Sequence, residues 1–377
     1  MIDYSQIPSP CYVVEEARLR RNLALIGQVA QRSGAEIILA FKAFALWKLF
    51  PIVREYIPYS TASSLAEARL AFEEMGAKAH TFAPVYRPDE IGEIADCSSH
   101  VSFNSLAQFE RYHELVSKKG ALCGLRCNPD LSLVETDLYN PCVAGSRLGI
   151  PAQQLPDRLP DSVSGLHFHC LCESSAADTE MLITRVEELF GQYLPQLQWV
   201  NFGGGHLMTR QGYDVDRLVA AIQGFRQRHP HLQVILEPGS AFAWRVGELV
   251  STVQDVVCNA GIYTAMLDVS FACHMPDCLE MPYQPAILNA KKAGDTPYVY
   301  RMGGNSCLSG DYVGDWSFDA PLQVGDRIVF EDMIHYTTVK TLMFNGVSHP
   351  SIAIVRQDGK LETLREFSYE DYKNRMD

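Results

Sequence analysis

The sequence predicts an α/β protein in which a closed (β/α)8 TIM barrel over residues 16–245 is followed by a mostly antiparallel C-terminal β domain over residues 246–377. Three observations predict it. From about residue 16 to 245, helix-period stretches alternate with short apolar runs, as strand–helix units around a parallel sheet do. After residue 246 the chain becomes β-branched and turn-punctuated, in "VGELVSTVQDVVC", "GIYTAMLDVS", "TPYVYRMG", "GDRIVFEDM", "YTTVKTLMF" and "PSIAIVRQDGKLETLR". Finally, 377 residues exceed one ordinary core and suit a large domain with a smaller one. Residues 1–15, with the strand candidate "CYVVE", are expected to join the β domain.

The barrel elements follow in order. "EEARLRRNLALIGQVAQRSG" is an amphipathic helix stopped by Gly34, and "AEIILAFKAF" is the strand after it. "SSLAEARLAFEEMG" is a helix capped by Ser63 or Ser64 and ended at Gly76. "KAHTFAP", "HVSFNS", "GALCGLRCN", "VSGLHFHC", "LQWVNFGGG" and "LQVILEPG" are the strands that follow, separated by helical stretches. There is no short repeat, low-complexity segment or Gly/Ser linker.

Composition narrows the function classes. Hydrophobic residues make up 47% of the chain, which is therefore globular, and no apolar run reaches the roughly 18 residues of a membrane helix. The N-terminus "MIDYSQIPSPCYVVEE" lacks the basic and apolar regions of an export signal, so the expected location is cytoplasmic. Eleven cysteines, an odd number in a long chain, read as reduced thiols and not as a disulfide framework. With 45 acidic and 32 basic residues, the formal charge of −13 argues against nucleic acid as a partner and agrees with a cationic substrate.

In such a barrel, chemistry sits at the C-terminal ends of the strands. Lys42 stands in the apolar run "ILAFKAFALWKLF"; an amine there has its pKa lowered and becomes a nucleophile toward an aldehyde, unless it merely snorkels from a strand end. Gly203, Gly204 and Gly205 in "NFGGGH" leave backbone N–H groups able to approach a phosphate, or form a plain turn. Met208 stands where a dinucleotide fingerprint needs its third glycine. Glu237 ends the strand in "ILEPGSAF", where a carboxylate can pair with a protonated pyridine nitrogen or lie in a surface loop.

"GLHFHCLCES" offers His167, His169, Cys170 and Cys172. Strand alternation sends the two histidines to one face and the two cysteines to the other, so no single tetrahedral site collects them and no metal is expected. A histidine stacked on a flat ring, or a buried structural pair, fits better. "GNSCLSGDYVGDW" holds Cys307 and Asp311 among glycines, as a proton donor with carboxylates nearby or as one more structural thiol. "EDMIHYTTVKTLMFNG" places Tyr336 in a predicted strand, where a core tyrosine is the ordinary explanation.

The order of these features matters more than any one of them. Strand lysine, His-x-His, Gly-Gly-Gly, Glu-Pro-Gly, Cys with Gly-Asp, then Tyr before Phe-Asn-Gly resembles, over nearly the whole chain, the alanine-racemase-fold (fold type III) decarboxylases that use pyridoxal 5'-phosphate (PLP). These include the ornithine, diaminopimelate and carboxynorspermidine decarboxylases. "HMPDCLEMPYQP" and "NSCLSGDYVGDW" are most similar to the carboxynorspermidine branch. The resemblance implies that Lys42 forms the Schiff base with PLP and that His169 stacks on the pyridine face. It implies that Gly203, Gly204 and Gly205 hold the phosphate together with Tyr336, that Glu237 pairs with the pyridine nitrogen, and that Arg147 contacts the ring hydroxyl. Cys307, contributed by the partner subunit of a homodimer with shared active sites, protonates the carbanion left by CO₂.

The implied reactions convert carboxynorspermidine to norspermidine and carboxyspermidine to spermidine, with Asp311, Glu280 and Asp277 binding the cationic polyamine chain. Two departures separate the sequence from the ornithine and diaminopimelate enzymes. Leu308 follows Cys307 where the ornithine enzymes carry an acid, and Ser240 follows Glu-Pro-Gly where both groups carry arginine. The alternatives are a diaminopimelate- or ornithine-type decarboxylase, a racemase, which Glu237 argues against, and a non-catalytic PLP or polyamine binder.

Overall fold

The structure, a computed structural model, describes residues 2–134 and 136–377. They form two compact units, one of Arg21–Phe242 and one of the residues up to Arg20 together with Ala243–Asp377. The α/β expectation holds, with one parallel sheet and one mostly antiparallel sheet.

In the first unit the parallel strands Leu39–Ala40, Ser60–Ala62, Ala79–Phe82, Ser98–Phe103, Leu122–Asn128, Val163–Phe168, Trp199–Asn201 and Gln233–Leu236 pair in that order. Glu36–Ile37 pairs with Gln233–Leu236, which closes the ring. The run "AEIILAFKAF" is therefore not one strand. It breaks at Ile38, whose N–H donates to Leu236 O at 2.9 Å, while the N–H of Leu39 donates to Tyr59 O at 3.0 Å. One half serves the last strand and the other half the second. Lys42 consequently lies in a tight turn just past this split strand, with the N–H of Ala43 donating to Ala40 O at 3.0 Å.

The predicted caps appear with a division of labour. Ser64 Oγ accepts from the Glu67 N–H at 3.2 Å to start the helix Leu65–Leu70, while the N–H of Ser63, the residue before the cap, donates to Glu67 Oε2 at 2.6 Å. Gly76 ends the next turn in a left-handed conformation. Trp199 fills the barrel interior. A Cβ on Gly165 would overlap its ring atoms Cδ2 and Cε2, and its indole N–H donates to Ser164 Oγ at 3.1 Å. A Cβ on Gly124, on the next strand, would meet the same ring, so two strands are bare here so that a third can carry the indole.

In the second unit, Cys11–Glu15 runs antiparallel to Gly247–Asn259 and parallel to Ser351–Val355. Gly247–Asn259 also pairs antiparallel with Ile262–Leu267 and Arg327–Phe330, and Tyr298–Gly303 pairs antiparallel with Tyr312–Phe318. "YTTVKTLMF" forms no strand, against expectation. Thr338 Oγ1 donates to Ile334 O at 2.8 Å and the N–H of Lys340 donates to Tyr336 O at 3.0 Å, local bonds that displace a ladder. Tyr336 itself takes a left-handed backbone, φ 55°. Among the described residues no helix is long and apolar enough to cross a membrane.

Candidate active site

At the C-terminal ends of the barrel strands, Lys42, His169 and Gly204 form a chain of hydrogen bonds. The N–H of Gly204 donates to His169 Nδ1 at 2.8 Å, and His169 Nε2 lies 3.0 Å from Lys42 Nζ. An Nδ1 that accepts carries no proton, so a neutral ring must hold its proton on Nε2. That Nε2–H then donates to Nζ, which requires a lone pair on nitrogen. The geometry therefore selects the neutral amine of Lys42. Electrostatics agrees: burial pushes the Lys42 pKa down, the charge of Arg126 adds to this, and Glu237 opposes it. Burial, with Lys42 and Arg126 nearby, likewise holds His169 well below the usual histidine range.

Glu237 is fixed by the strand next door. Asn201 Nδ2 donates to Glu237 Oε1 at 2.6 Å, and Asn201 Oδ1 accepts from the Gly203 N–H at 2.8 Å. Burial pushes the Glu237 pKa up, while Asn201, Lys42 and Arg126 pull it down. Arg126 is 4% exposed, sits 4.4 Å from the centroid of the Phe82 ring, and donates from Nη2 to His169 O at 3.2 Å. Burial brings it down to about 10.

The glycines serve a tighter purpose than the sequence suggested. Two of the three backbone amides are turned inward, to Asn201 and to His169, and do not await an anion. A Cβ on Gly204 would stand 2.6 Å from Glu237 O, and one on Gly205 2.6 Å from Leu171 Cβ. Gly205 also has φ 92°, a backbone that side chains rarely adopt. The loop packs so closely on the neighbouring strand ends that nothing larger fits. A nucleophilic amine and a buried carboxylate beside the Arg126 guanidinium fit a group carrying an aldehyde and a basic ring nitrogen. Arg147 is exposed, with its carbonyl accepting from Asn104 Nδ2 at 2.8 Å, and its charge helps lower Arg126.

The remaining predicted residues lie in the other unit. Cys307 is exposed, but its backbone is held, with its N–H donating to Asn345 Oδ1 at 2.8 Å. Asp311 is 5% exposed and already engaged: Oδ1 accepts from the Ala272 N–H at 3.0 Å, and Oδ2 accepts from Ser306 Oγ at 2.6 Å and the Ser306 N–H at 3.1 Å. It braces the loop of Cys307 where the sequence suggested a carboxylate open to an amine. Asp277 and Glu280 both pair with Lys340 Nζ, the second at 2.7 Å. Arg126, Asn201 and Asn345 were not singled out by sequence. Asn201 stood two residues before the first glycine; Arg126 was hidden in an ordinary apolar strand.

The comparisons decide the family. The profile described as "Pyridoxal-dependent decarboxylase, C-terminal sheet domain" matches residues 11–334. The chain belongs to the pyridoxal-dependent decarboxylases. This makes it a carboxy-lyase and PLP its cofactor. A carboxyaminopropylagmatine decarboxylase of Synechocystis sp. is 54% identical over 99% of this chain and 96% of its own. A carboxynorspermidine/carboxyspermidine decarboxylase of Campylobacter jejuni is 43% identical over 99% of each chain. The crystal structure of carboxynorspermidine decarboxylase from the same organism, complexed with norspermidine, superposes with a TM-score of 0.90 at 42% identity, covering 98% of this chain and 100% of that one. A diaminopimelate decarboxylase from Helicobacter pylori shares the fold, at a TM-score of 0.80 and 16% identity over 99% of this chain and 98% of its own. The decarboxylase fold thus extends well beyond the polyamine branch.

Proposed function

We propose that this decarboxylase removes CO₂ from carboxynorspermidine and carboxyspermidine, giving norspermidine and spermidine. The observation that carries the chemistry is the Lys42–His169–Gly204 chain, which presents a neutral amine beside the carboxylate of Glu237. When bound, PLP supplies the electron sink that accepts the electron pair left by CO₂. Lys42 would hold the cofactor through its aldehyde carbon, and Glu237 would keep the ring nitrogen protonated. His169 would support the face of the ring, Arg147 would hold its hydroxyl, and amides from Gly205 onward with Tyr336 would hold its phosphate. Gly203 and Gly204 set the loop and aim Glu237 and His169. The Cys307 thiol delivers a proton to the substrate Cα; its exposure and its clamped backbone support service to a partner subunit in a homodimer. Asp277, Glu280 and Asp311 are the carboxylates proposed for the cationic tail, with Asp311 acting through its loop. A cytoplasmic location suits such biosynthetic chemistry.

A second reading is carboxyaminopropylagmatine as substrate, which the 54% identity to the Synechocystis enzyme favours. All three molecules carry the same carboxyaminopropyl group; carboxynorspermidine and carboxyspermidine differ by one methylene in the spacer and end in an amine, whereas the agmatine derivative ends in a guanidinium. CO₂ release measured side by side on the three, with meso-diaminopimelate and ornithine as controls, tests the proposal. Turnover confined to the two carboxylated triamines supports it. Preference for the agmatine derivative moves the assignment to the second reading, and turnover of either control overturns both.

A further inference from the structure

His167 is the buried group that this chemistry leaves unused. It lies on Val163–Phe168, two residues before His169, and is 2% exposed. Among the described residues neither ring nitrogen makes a hydrogen bond. Its ring meets the Phe82 ring edge-on, 5.5 Å away at 84°, on the side chain that also carries the Arg126 guanidinium. Nε2 stands 3.6 Å from Glu237 Oε2, the carboxylate oxygen opposite to the one that Asn201 holds. Burial, Arg126 and Lys42 hold the ring well below the usual histidine range, so it is neutral and carries a single N–H. His80 stands close enough that a charge on either ring would disfavour one on the other, and the His169 ring is 6.4 Å away.

We propose that His167 is a positioning residue whose Nε2–H closes on Glu237 Oε2, so that Asn201 and His167 together fix both carboxylate oxygens. Oε1 receives the amide of Asn201 and Oε2 the imidazole. The carboxylate is thereby kept ionised for the ring nitrogen of the cofactor, in a setting where the Arg126 guanidinium supplies the opposing charge. The inference rests on the reading of Glu237 given above.

The test measures PLP binding by the full-length protein between pH 5.5 and 9, by equilibrium dialysis, for wild type, His167→Phe and His167→Gln. Phenylalanine keeps the edge contact with Phe82 and removes the donor; glutamine keeps an N–H. A lost donor makes Glu237 easier to protonate, so the acid limb of binding moves to higher pH in His167→Phe. Its dissociation constant rises about fivefold at pH 6 and less at pH 8.5, and His167→Gln recovers part of the loss. A His167→Phe limb that overlays wild type reduces His167 to packing and overturns the proposal. The unaltered protein offers a check that needs no variant fold. In ¹⁵N-histidine-labelled enzyme, His167 gives an Nε2–H signal invariant over this range, and an Nδ1–H or titrating ring overturns the proposal as well. A wild-type protein that forms no reducible PLP adduct on Lys42 overturns the underlying reading first.

Discussion

Replacing His169 with phenylalanine tests the neutral lysine directly. The substitution keeps an aromatic ring in the same half-buried place, so the desolvation of Lys42 is largely retained. It removes one hydrogen bond, from Nε2–H to Nζ, 3.0 Å long in this structure and available only when Nζ has a lone pair. Such a bond contributes about 1 kcal/mol to the form that makes it, equal to a factor of about 5 in the ratio of neutral to charged amine at fixed pH. The assay is reductive trapping of formaldehyde on the cofactor-free protein, followed by peptide mapping of Lys42 against the exposed Lys78 and Lys360. At pH 7.5 an ordinary surface lysine is only about 0.1% neutral, so Lys42 of wild type reacts well ahead of both references. His169→Phe slows Lys42 by up to about fivefold at pH 7.5, leaves it unchanged above pH 10.5, and leaves the references alone. A variant that reacts as fast as wild type at pH 7.5 refutes the tautomer argument, because then Nε2 donates nothing to Nζ.

Three further outcomes follow from the geometry. Gly165→Ala drives a methyl group into the indole of Trp199, which the Ser164 bond holds in place; overpacking of this kind costs about 1–3 kcal/mol, and the loss is read as a lower urea midpoint that Trp199→Leu partly restores. Burial brings His100 and His206 down to about 4 from an unfolded value near 6.5, so the unfolded chain binds more protons between those limits and stability falls as pH drops through them. Urea midpoints at pH 7 and pH 5 check this, and His100→Gln narrows the difference between them. Asp311→Ala unties Ser306 and Ala272 from the loop of Cys307, so kcat falls about 10- to 100-fold while PLP affinity is unchanged, measured by CO₂ release and by dialysis.

What the sequence made legible was whatever local periodicity or local chemistry dictates. Alternating apolar runs revealed the barrel strands, and the helix ends at Gly34 and Gly76 were plain because only a left-handed stop fits there. Glu237 and Lys42 were visible as polar residues at the ends of apolar runs. What escaped depends on neighbours distant in sequence. Splitting "AEIILAFKAF" at Ile38 is a property of ring closure, since one short segment must pair with both the last strand and the second. The inward turn of the Gly203 and Gly204 amides depends on Asn201 and His169 meeting across adjacent strands. Tyr336 was misplaced in a strand because β-branching at Thr337, Thr338 and Val339 outweighed, in sequence, the local hydrogen bonds that win in the fold.

The cationic tail of the substrate poses the last question, and Lys340 bears on it. Its ammonium already bridges Asp277 and Glu280, which is the contact a polyamine ammonium would make. A pair this accessible, with side chains 31% and 49% exposed for Lys340 and Glu280, contributes at most about 1 kcal/mol. A substrate cation can therefore displace it at small cost, and Lys340 acts as an internal competitor. If Asp277 and Glu280 hold the tail, Lys340→Ala lowers KM up to about fivefold without changing kcat, and added salt erodes the gain because the attraction is between exposed charges. An unchanged KM removes both carboxylates from the substrate path. A raised KM reverses the argument, since the pair then shapes the segment and competes with nothing.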